Sequence, residues 1–582
     1  MKKFKTSNII FGLIISCFSA YSQTTSPQFE WAKGIGGFYS DIGSSITTDN
    51  SGNVITAGTF SELVNFNPGG VNLAVEYGQY GDAFVTKHDS LGNLMWVQQI
   101  GGEGQDGATG AVTDAIGNIY VIGYFEGTTD LDPDIGTAPA TSLNGKDIFI
   151  TKLNPNGDFI WSKHLKGGGD YSRAERVIIN PVGSGFYITG SFSDTLDFDP
   201  DNGVTNLITE PFVTTGFLAK YSEDGDLEWA KQLKGVDYGM GVSGGVNGNI
   251  FVTGIFSDTA RFESGASTIN LVSNGQSDIF IAKYKGDGEL LFAKSLGSSN
   301  TDWGFSVTND KNGNVLITGM FSGSMDFDPG VGEEIIEAQV WDVYVLKLND
   351  AGEFLWVKTF GGQQYEWGNA IVTDKDGNIY TTGFFNDTTD FDPGTGVLEL
   401  VAGAYNEIFI HKLDPNGNFI WAGQLKGSQL FTSSDNQGFG IAVDNNYNIY
   451  LTGQFYSFID SDPGPLVANI LALDGDGSGF YRSDFFIVKL GQESTLGIEN
   501  YSQSHEFKYF PNPTSGLVSV NFTTHYNHLE VEIIDLSGKV VSTQSFINCS
   551  SVQLELNVSQ GLYFVRLKSN EYQIGNFKIS KI

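Results

Sequence analysis

The sequence predicts an all-β chain, a seven-bladed β-propeller of four-stranded blades followed by a small C-terminal β-sandwich. An aromatic anchor recurs at Trp31, Trp96, Trp161, Trp229, Phe292, Trp356 and Trp421, in steps of about 65 residues. Around each anchor the same four β-type segments recur in the same order, as expected of a propeller blade. The repeat stops after Leu490, and a different set of alternating strand patterns follows.

In chain order, the opening MKKFKTSNIIFGLIISCFSAYSQ places Lys2, Lys3 and Lys5 before an apolar stretch from Ile9 to Ala20. Small and polar residues then run to Gln23. That is the order of a secretory signal peptide over residues 1–23, and its apolar run is too short to span a bilayer. Ile14-Ile15-Ser16-Cys17 also reads as a lipoprotein cleavage box. No other segment approaches ~18 consecutive apolar residues, so no transmembrane segment is expected.

The propeller is expected over residues 27–491. Each unit opens with a half-apolar segment such as Ala370-Ile-Val-Thr-Asp374. A second segment of the type Gly-Asn-Ile-Tyr-x-x-Gly-x-Phe follows, as at 117–125, 248–256 and 377–385. The third runs Asp-x-Phe-x-x-Lys, as at 147–152, 278–283 and 484–489, and the fourth carries the anchor, as in Phe159-Ile-Trp-Ser-Lys163. Short runs of β-branched and aromatic residues bounded by Gly, Asn and Asp read as strands, and no helical periodicity competes with them. The loops between third and fourth segments place Gly92, Gly157, Gly225, Gly288, Gly352 and Gly417 at one fixed point, where a hairpin needs a left-handed residue. Middle strands such as Ile148-Phe-Ile150 are apolar on both faces, which suits blades packed face to face.

The body begins with a lone fourth-type strand (29–35) and ends with a third-type strand (484–490). Each half completes the other. The N-terminal strand is therefore expected to pair with 484–490, which finishes the seventh blade and removes two exposed edges. A polar linker (492–506) leads to a β-sandwich over residues 507–582.

Acidic residues outnumber basic ones 67 to 32, giving a net charge of −35. Neutralising phosphates takes clustered Lys and Arg, so nucleic acid is not expected as a partner, and an anionic membrane surface is disfavoured. Hard cations such as Ca²⁺, or a soluble extracellular surface, fit the balance. The two cysteines, Cys17 and Cys549, offer no disulfide framework.

Three repeated features are candidates for chemistry. The first is Asp-x-Asp-Pro, at Asp130/Asp132, Asp197/Asp199, Asp326/Asp328, Asp390/Asp392 and Asp460/Asp462, with a third acid at Asp134 and Asp201. Alternating carboxylates in a tight loop can converge on Ca²⁺, although these loops lack the glycine and closing glutamate of an EF-hand. The same pattern also reads as a charged rim turn ended by proline. The second is an acid before each first strand, at Asp41, Asp106, Asp170, Asp237, Asp302, Glu366 and Asp435. These acids form either a ring at a channel mouth or a set of backbone caps. The third is a lysine closing each third strand: Lys87, Lys152, Lys220, Lys283, Lys347, Lys412 and Lys489. Six of these have an acid five residues earlier, which reads as an ion pair or a snorkelling stem. No nucleophile elbow, zincin motif, P-loop or Cys–His set appears. Breaks in the repeat point to specificity instead: Arg173 and Arg176 replace small or apolar residues of the other units, and segment 456–483 is the longest of its kind.

The quoted repeat motifs resemble the bacterial β-propeller repeat called SBBP over nearly all of 27–491. That resemblance implies a propeller and an extracytoplasmic setting, and no single activity. The C-terminal segment carries Phe510-Pro-Asn-Pro-Thr-Ser-Gly516, Asp535-Leu-Ser-Gly-Lys539 and Gly561-Leu-Tyr-Phe-Val-Arg566 in order. It closely resembles the type A C-terminal sorting domain of the Bacteroidetes type IX secretion system. This resemblance implies the type IX secretion machinery as a partner of 507–582, and a secreted or outer-membrane-surface location. The chain is thus expected to be a secreted or cell-surface binding or adhesion module for a glycan or protein ligand. The alternatives are an extracellular carbohydrate-active enzyme using rim carboxylates and a purely structural surface protein.

Overall fold

The computed structural model of the chain describes residues 26–37, 39–67, 74–75, 81–134, 136–201, 203–210, 212–265, 267–403, 405–427, 435–464, 467–472, 482–492, 507–510, 514–534, 539–569 and 572–581. The expected signal peptide with Cys17, most of the linker, the 473–481 part of the long seventh-unit segment and the sorting motif at 535–538 lie outside the described residues. Every regular element is a β-strand, and every strand pairing is antiparallel. The chain divides into two compact units between Glu493 and Ser494.

The larger unit contains seven sets of four antiparallel strands. In the first set, Ile42–Thr48, Val54–Phe60, Asp82–His88 and Leu94–Gly102 pair in sequence order. The second follows the same order with Gly107–Thr113, Ile119–Asp130, Pro139–Leu153 and Phe159–Gly168. The long strand Leu227–Gly244 ends the third set and begins the fourth. The seventh set departs from sequence order, because its fourth strand is Gln28–Ile35 from the opposite end of the chain. This strand pairs with Ser483–Gly491, Ile35 opposite Phe485 and Gly34 opposite Phe486, as the two incomplete end units demand.

Five of the seven third strands are buried along their whole length, for example Asp82–His88, Asp278–Tyr284 and Glu407–Leu413. Their burial on both faces comes from cores that lie between consecutive sets. Tyr120, Ile122 and Ile150 of the second set pack with Phe186, Ile188 and Phe217 of the third. The last core joins Ile35, Phe485 and Ile487 of the seventh set to Val54, Phe60 and Phe84 of the first. There Phe84 and Phe485 stack with ring centroids 4.5 Å apart. Each such ring contributes roughly 1.5–3 kcal/mol on burial.

The turns knit neighbouring sets together. Gly92 adopts φ +81° beneath the indole of Trp31, where a Cβ would sit 2.7 Å from the ring. Only glycine fits a site that demands both a positive φ and an absent side chain. Trp31 donates its indole N–H to Ser90 O (3.1 Å), and Lys489 Nζ donates to the same carbonyl (3.0 Å).

The smaller unit is a five-stranded sheet of Phe507–Phe510, Leu517–Ile534, Val540–Glu555, Gly561–Ser569 and Tyr572–Lys581. The register of Leu517–Ile534 against Val540–Glu555 breaks between Asn521 and Tyr526. Val520 and Ile533, on either side of that break, share one core with Leu554 and Val565.

Candidate functional site

The first strands of the seven sets lie side by side, each touching the next, and Gln437–Val443 touches Ile42–Thr48. Each carries a β-bulge at the same point, just past the residue opposite the glycine of its second strand. A bulge adds one residue and re-aims its side chain. The added residues are Ser44, Thr109, Glu175, Met240, Phe305, Asn369 and Phe439, and all seven line one cavity of about 340 Å³. Ile42, Arg173, Trp367 and Gln437, at the starts of their strands, complete much of its wall.

One position further along, six sets place a small residue: Ser45, Gly110, Gly241, Ser306, Ala370 and Gly440. The third set places Arg176 there. A second cavity of about 360 Å³ meets the first at Ser44, Arg176 and Phe439. Arg173 and Glu175 pair at 2.8 Å, and the Arg173 guanidinium sits 5.6 Å from the Tyr124 ring centroid. Arg176 donates Nη1–H to the Glu175 carbonyl (3.0 Å), and no carboxylate among the described residues forms an ion pair with it. Burial lowers its pKa, and the charge of Glu175 opposes that shift. Across the cavity, Phe305 and Trp367 stack at 5.5 Å and Trp303 meets Trp367 edge-on at 5.6 Å. The buried indole N–H of Trp367 has no partner among the described residues.

The Asp-x-Asp-Pro residues lie elsewhere, in straps that follow the second strands. In each of the five, Oδ1 of the first aspartate accepts two backbone N–H groups. For Asp130 these are Asp132 N (3.1 Å) and Ala138 N (2.8 Å). Asp197, Asp326, Asp390 and Asp460 repeat the pattern. The second aspartates, Asp132, Asp199, Asp328, Asp392 and Asp462, accept the N–H two residues on. Asp134 accepts from Gln98 and Phe159 N, and Asp201 pairs with Lys163. The residue between the paired acids plugs a core: Leu131, Phe198, Phe327 and Phe391 are buried. Asn65 replaces the first acid in the first unit and accepts Asn67 N in the same way (3.0 Å). Among the described residues no three His, Cys, Asp or Glu side chains gather to hold a metal ion.

The acids before the first strands act as caps. Asp41 accepts Gly37 N and Ser61 N, both at 2.8 Å, and Asp106 accepts Gly102 N (2.8 Å) and Glu126 N (3.2 Å). Both are fully buried, so they are not displayed at a mouth. Register corrects two members of the expected series. The residue that occupies this place in the third set is the buried Ser172, whose Oγ accepts Ser193 N, and Asp170 is exposed. In the seventh set it is the buried Asn436, accepting Tyr456 N (2.9 Å), while Asp435 is exposed. The lysines are also corrected. Lys87 pairs with Asp49 at 2.9 Å, and Lys347 with Asp310 at 2.9 Å, rather than with the acid five residues earlier at the other end of the strand. Burial holds His88 and His411 neutral, lowering them to about 4 and about 3. His164 contacts Asp147 at 2.6 Å.

Arg173 and Arg176 were visible as breaks in the repeat. Glu175, Phe305, Trp367 and Phe439 were not, although aligning the first strands on the residue opposite the second-strand glycine exposes two variable columns, one holding Glu175, Phe305 and Phe439 and one holding Trp367. The chain has recognisable similarity at both levels of its organisation. Residues 508–580 match the family of secretion system C-terminal sorting domains. That match marks the chain for export through the type IX system, to the outside or the surface of a Bacteroidetes-type cell. The chain is also similar to an uncharacterized WD repeat-containing protein, L264, of Acanthamoeba polyphaga mimivirus, 24% identical over 511 residues. The alignment covers 74% of this chain and 36% of that protein. Regulatory protein FlaEY of Caulobacter vibrioides is 24% identical over 263 residues, covering 43% of this chain and 26% of FlaEY. The chain thus spans about a third of one relative's length and a quarter of the other's.

Proposed function

We propose that residues 27–491 form a seven-bladed β-propeller, completed by strand Gln28–Ile35, that acts outside the cell as a binding module with its ligand in the axial cavity. Support for the propeller comes from the seven four-strand sets, from the core joining the seventh set to the first, and from the similarity to a WD repeat protein, since WD repeats build propellers. One observation carries the binding reading: the units keep the same turn glycines and a capping side chain at one fixed position, but differ at the residues that line the cavity. Recognition belongs where a repeated scaffold stops repeating. Glu175, tied to Arg173, is the one carboxylate among the lining residues, whereas glycoside hydrolysis ordinarily takes two. That favours binding over cleavage.

The test is to probe immobilised glycans and cell-surface proteins with the secreted protein and with Ser44→Trp, which fills the cavity without removing a core side chain. Binding should fall at least ~10-fold in the variant, a loss of about 1.4 kcal/mol. Undiminished binding by Ser44→Trp, with an unchanged melting temperature, would remove the axial site.

A further inference from the structure

We infer that the axial cavity selects a carboxylate-bearing saccharide, a uronate whose acid group is held by Arg176 and whose ring lies against the Phe305–Trp367 wall. This rests on the axial-cavity reading above.

Arg176 is the starting point. Six of seven equivalent positions are small, which opens space at that level, and the seventh fills part of it with a guanidinium. The chain has 67 acidic side chains, yet none among the described residues is paired with this one. The neighbouring Glu175 is already engaged by Arg173, so the local carboxylate is spent on the outer arginine. A half-buried cation whose neighbouring carboxylate is tied to another arginine, and which forms no direct ion pair among the described residues, is costly, and an anion delivered by the ligand relieves that cost. The planar guanidinium fork matches two carboxylate oxygens at once.

The opposite wall specifies what carries the carboxylate. Phe305 and Trp367 present stacked aromatic rings, backed by Trp303, an apolar surface suited to the C–H face of a sugar. The side chains of Ser44, Thr59 and Gln437 supply donors and acceptors for hydroxyl groups. The volume, about 340 Å³, lies within the ~300–1,000 Å³ of small-ligand sites.

Calorimetric titration of the secreted protein should use four probes: galacturonate oligomers, neutral galactose oligomers, sulfated galactose oligomers and a peptide with a free C-terminal carboxylate. Galacturonate should bind at least ~10-fold tighter than its neutral counterpart. Arg176→Gln should abolish that preference, bringing uronate affinity down to that of the neutral oligomer, and Arg176→Lys should keep part of it. Should Arg176→Gln fail to fold, the loss in Arg176→Lys is the measurement that counts. Equal affinity for uronate and neutral oligomers, preference for the sulfated sugar or the peptide, an unaffected Arg176→Gln or no binding at all would each overturn the inference. Neutral and uronate oligomers binding equally well, with both blocked by Ser44→Trp, would leave the axial site standing while the uronate assignment fell. Uronate binding that survives Ser44→Trp would remove both.

Discussion

Asp82 shows what burial does to a carboxylate that the fold repeats. It begins a third strand, accepts a hydrogen bond from Gln99 on Oδ2, leaves Oδ1 without a partner, and feels the charge of Asp106 in the next set. Desolvation raises its pKa to about 7, and raises Asp106 to about 6. Asp342 and Glu366 repeat the arrangement, at about 6 and about 7. A carboxyl with a raised folded-state pKa contributes stability that is full below its unfolded pKa and lost as pH rises through the folded value. The larger unit should therefore lose stability as pH rises from about 4 to about 7. His88 and His411, buried and neutral, act in the opposite direction as pH falls below about 6.5, but they are outnumbered. Asp82→Asn should flatten the melting-temperature profile over that window and stabilise the protein at pH 8 by roughly 1–2 kcal/mol. A profile with the wild-type slope would refute the assignment. The acid series itself was legible in the sequence; its true members were not. Asp170 and Asp435 stand one or two residues from Ser172 and Asn436, and only strand register tells which side chain caps the backbone.

At the scale of the element, the strap after the second strand is a hydrogen-bonded device whose working atom is Oδ1. Asp390→Ala removes the acceptor for Asp392 N and Leu398 N, and should cost roughly 1–3 kcal/mol. Asp390→Asn keeps Oδ1, which in the first strap Asn65 uses to accept Asn67 N, and should cost less than half as much. Bound Ca²⁺ is the competing account of the same loops. The strap account expects one melting temperature in millimolar Ca²⁺ and in chelator. A rise in Ca²⁺ that Asp390→Asn abolishes would establish the ion instead. Strand order, turn glycines and the terminal pairing could all be read from the sequence, because seven copies make each pattern redundant. The bulge that builds the cavity could not. It changes which way Glu175 or Phe305 points without changing the spacing of any motif.

For the whole molecule, the two ends of the chain have separable roles, and truncation distinguishes them. Gln28–Ile35 is the outer strand of the last set, and it brings Ile35 and Trp31 to the core shared with the first. Removing it exposes the edge of Ser483–Gly491 and strips both side chains from that core, a loss of at least about 5 kcal/mol. The truncated protein should melt far lower than the parent and aggregate through the open edge. The sorting unit has its own core, built from Val518, Val531, Leu554 and Val565 among others. Removing 507–582 should therefore leave the melting transition of the larger unit in place while the protein accumulates inside the cell instead of reaching the medium or surface. Fractionation of the producing bacterium, alongside calorimetry of each purified form, reads both outcomes at once. A larger unit that unfolds without its sorting domain would show that the two depend on each other. One that stays folded without Gln28–Ile35 would show that the seventh set does not need its borrowed strand.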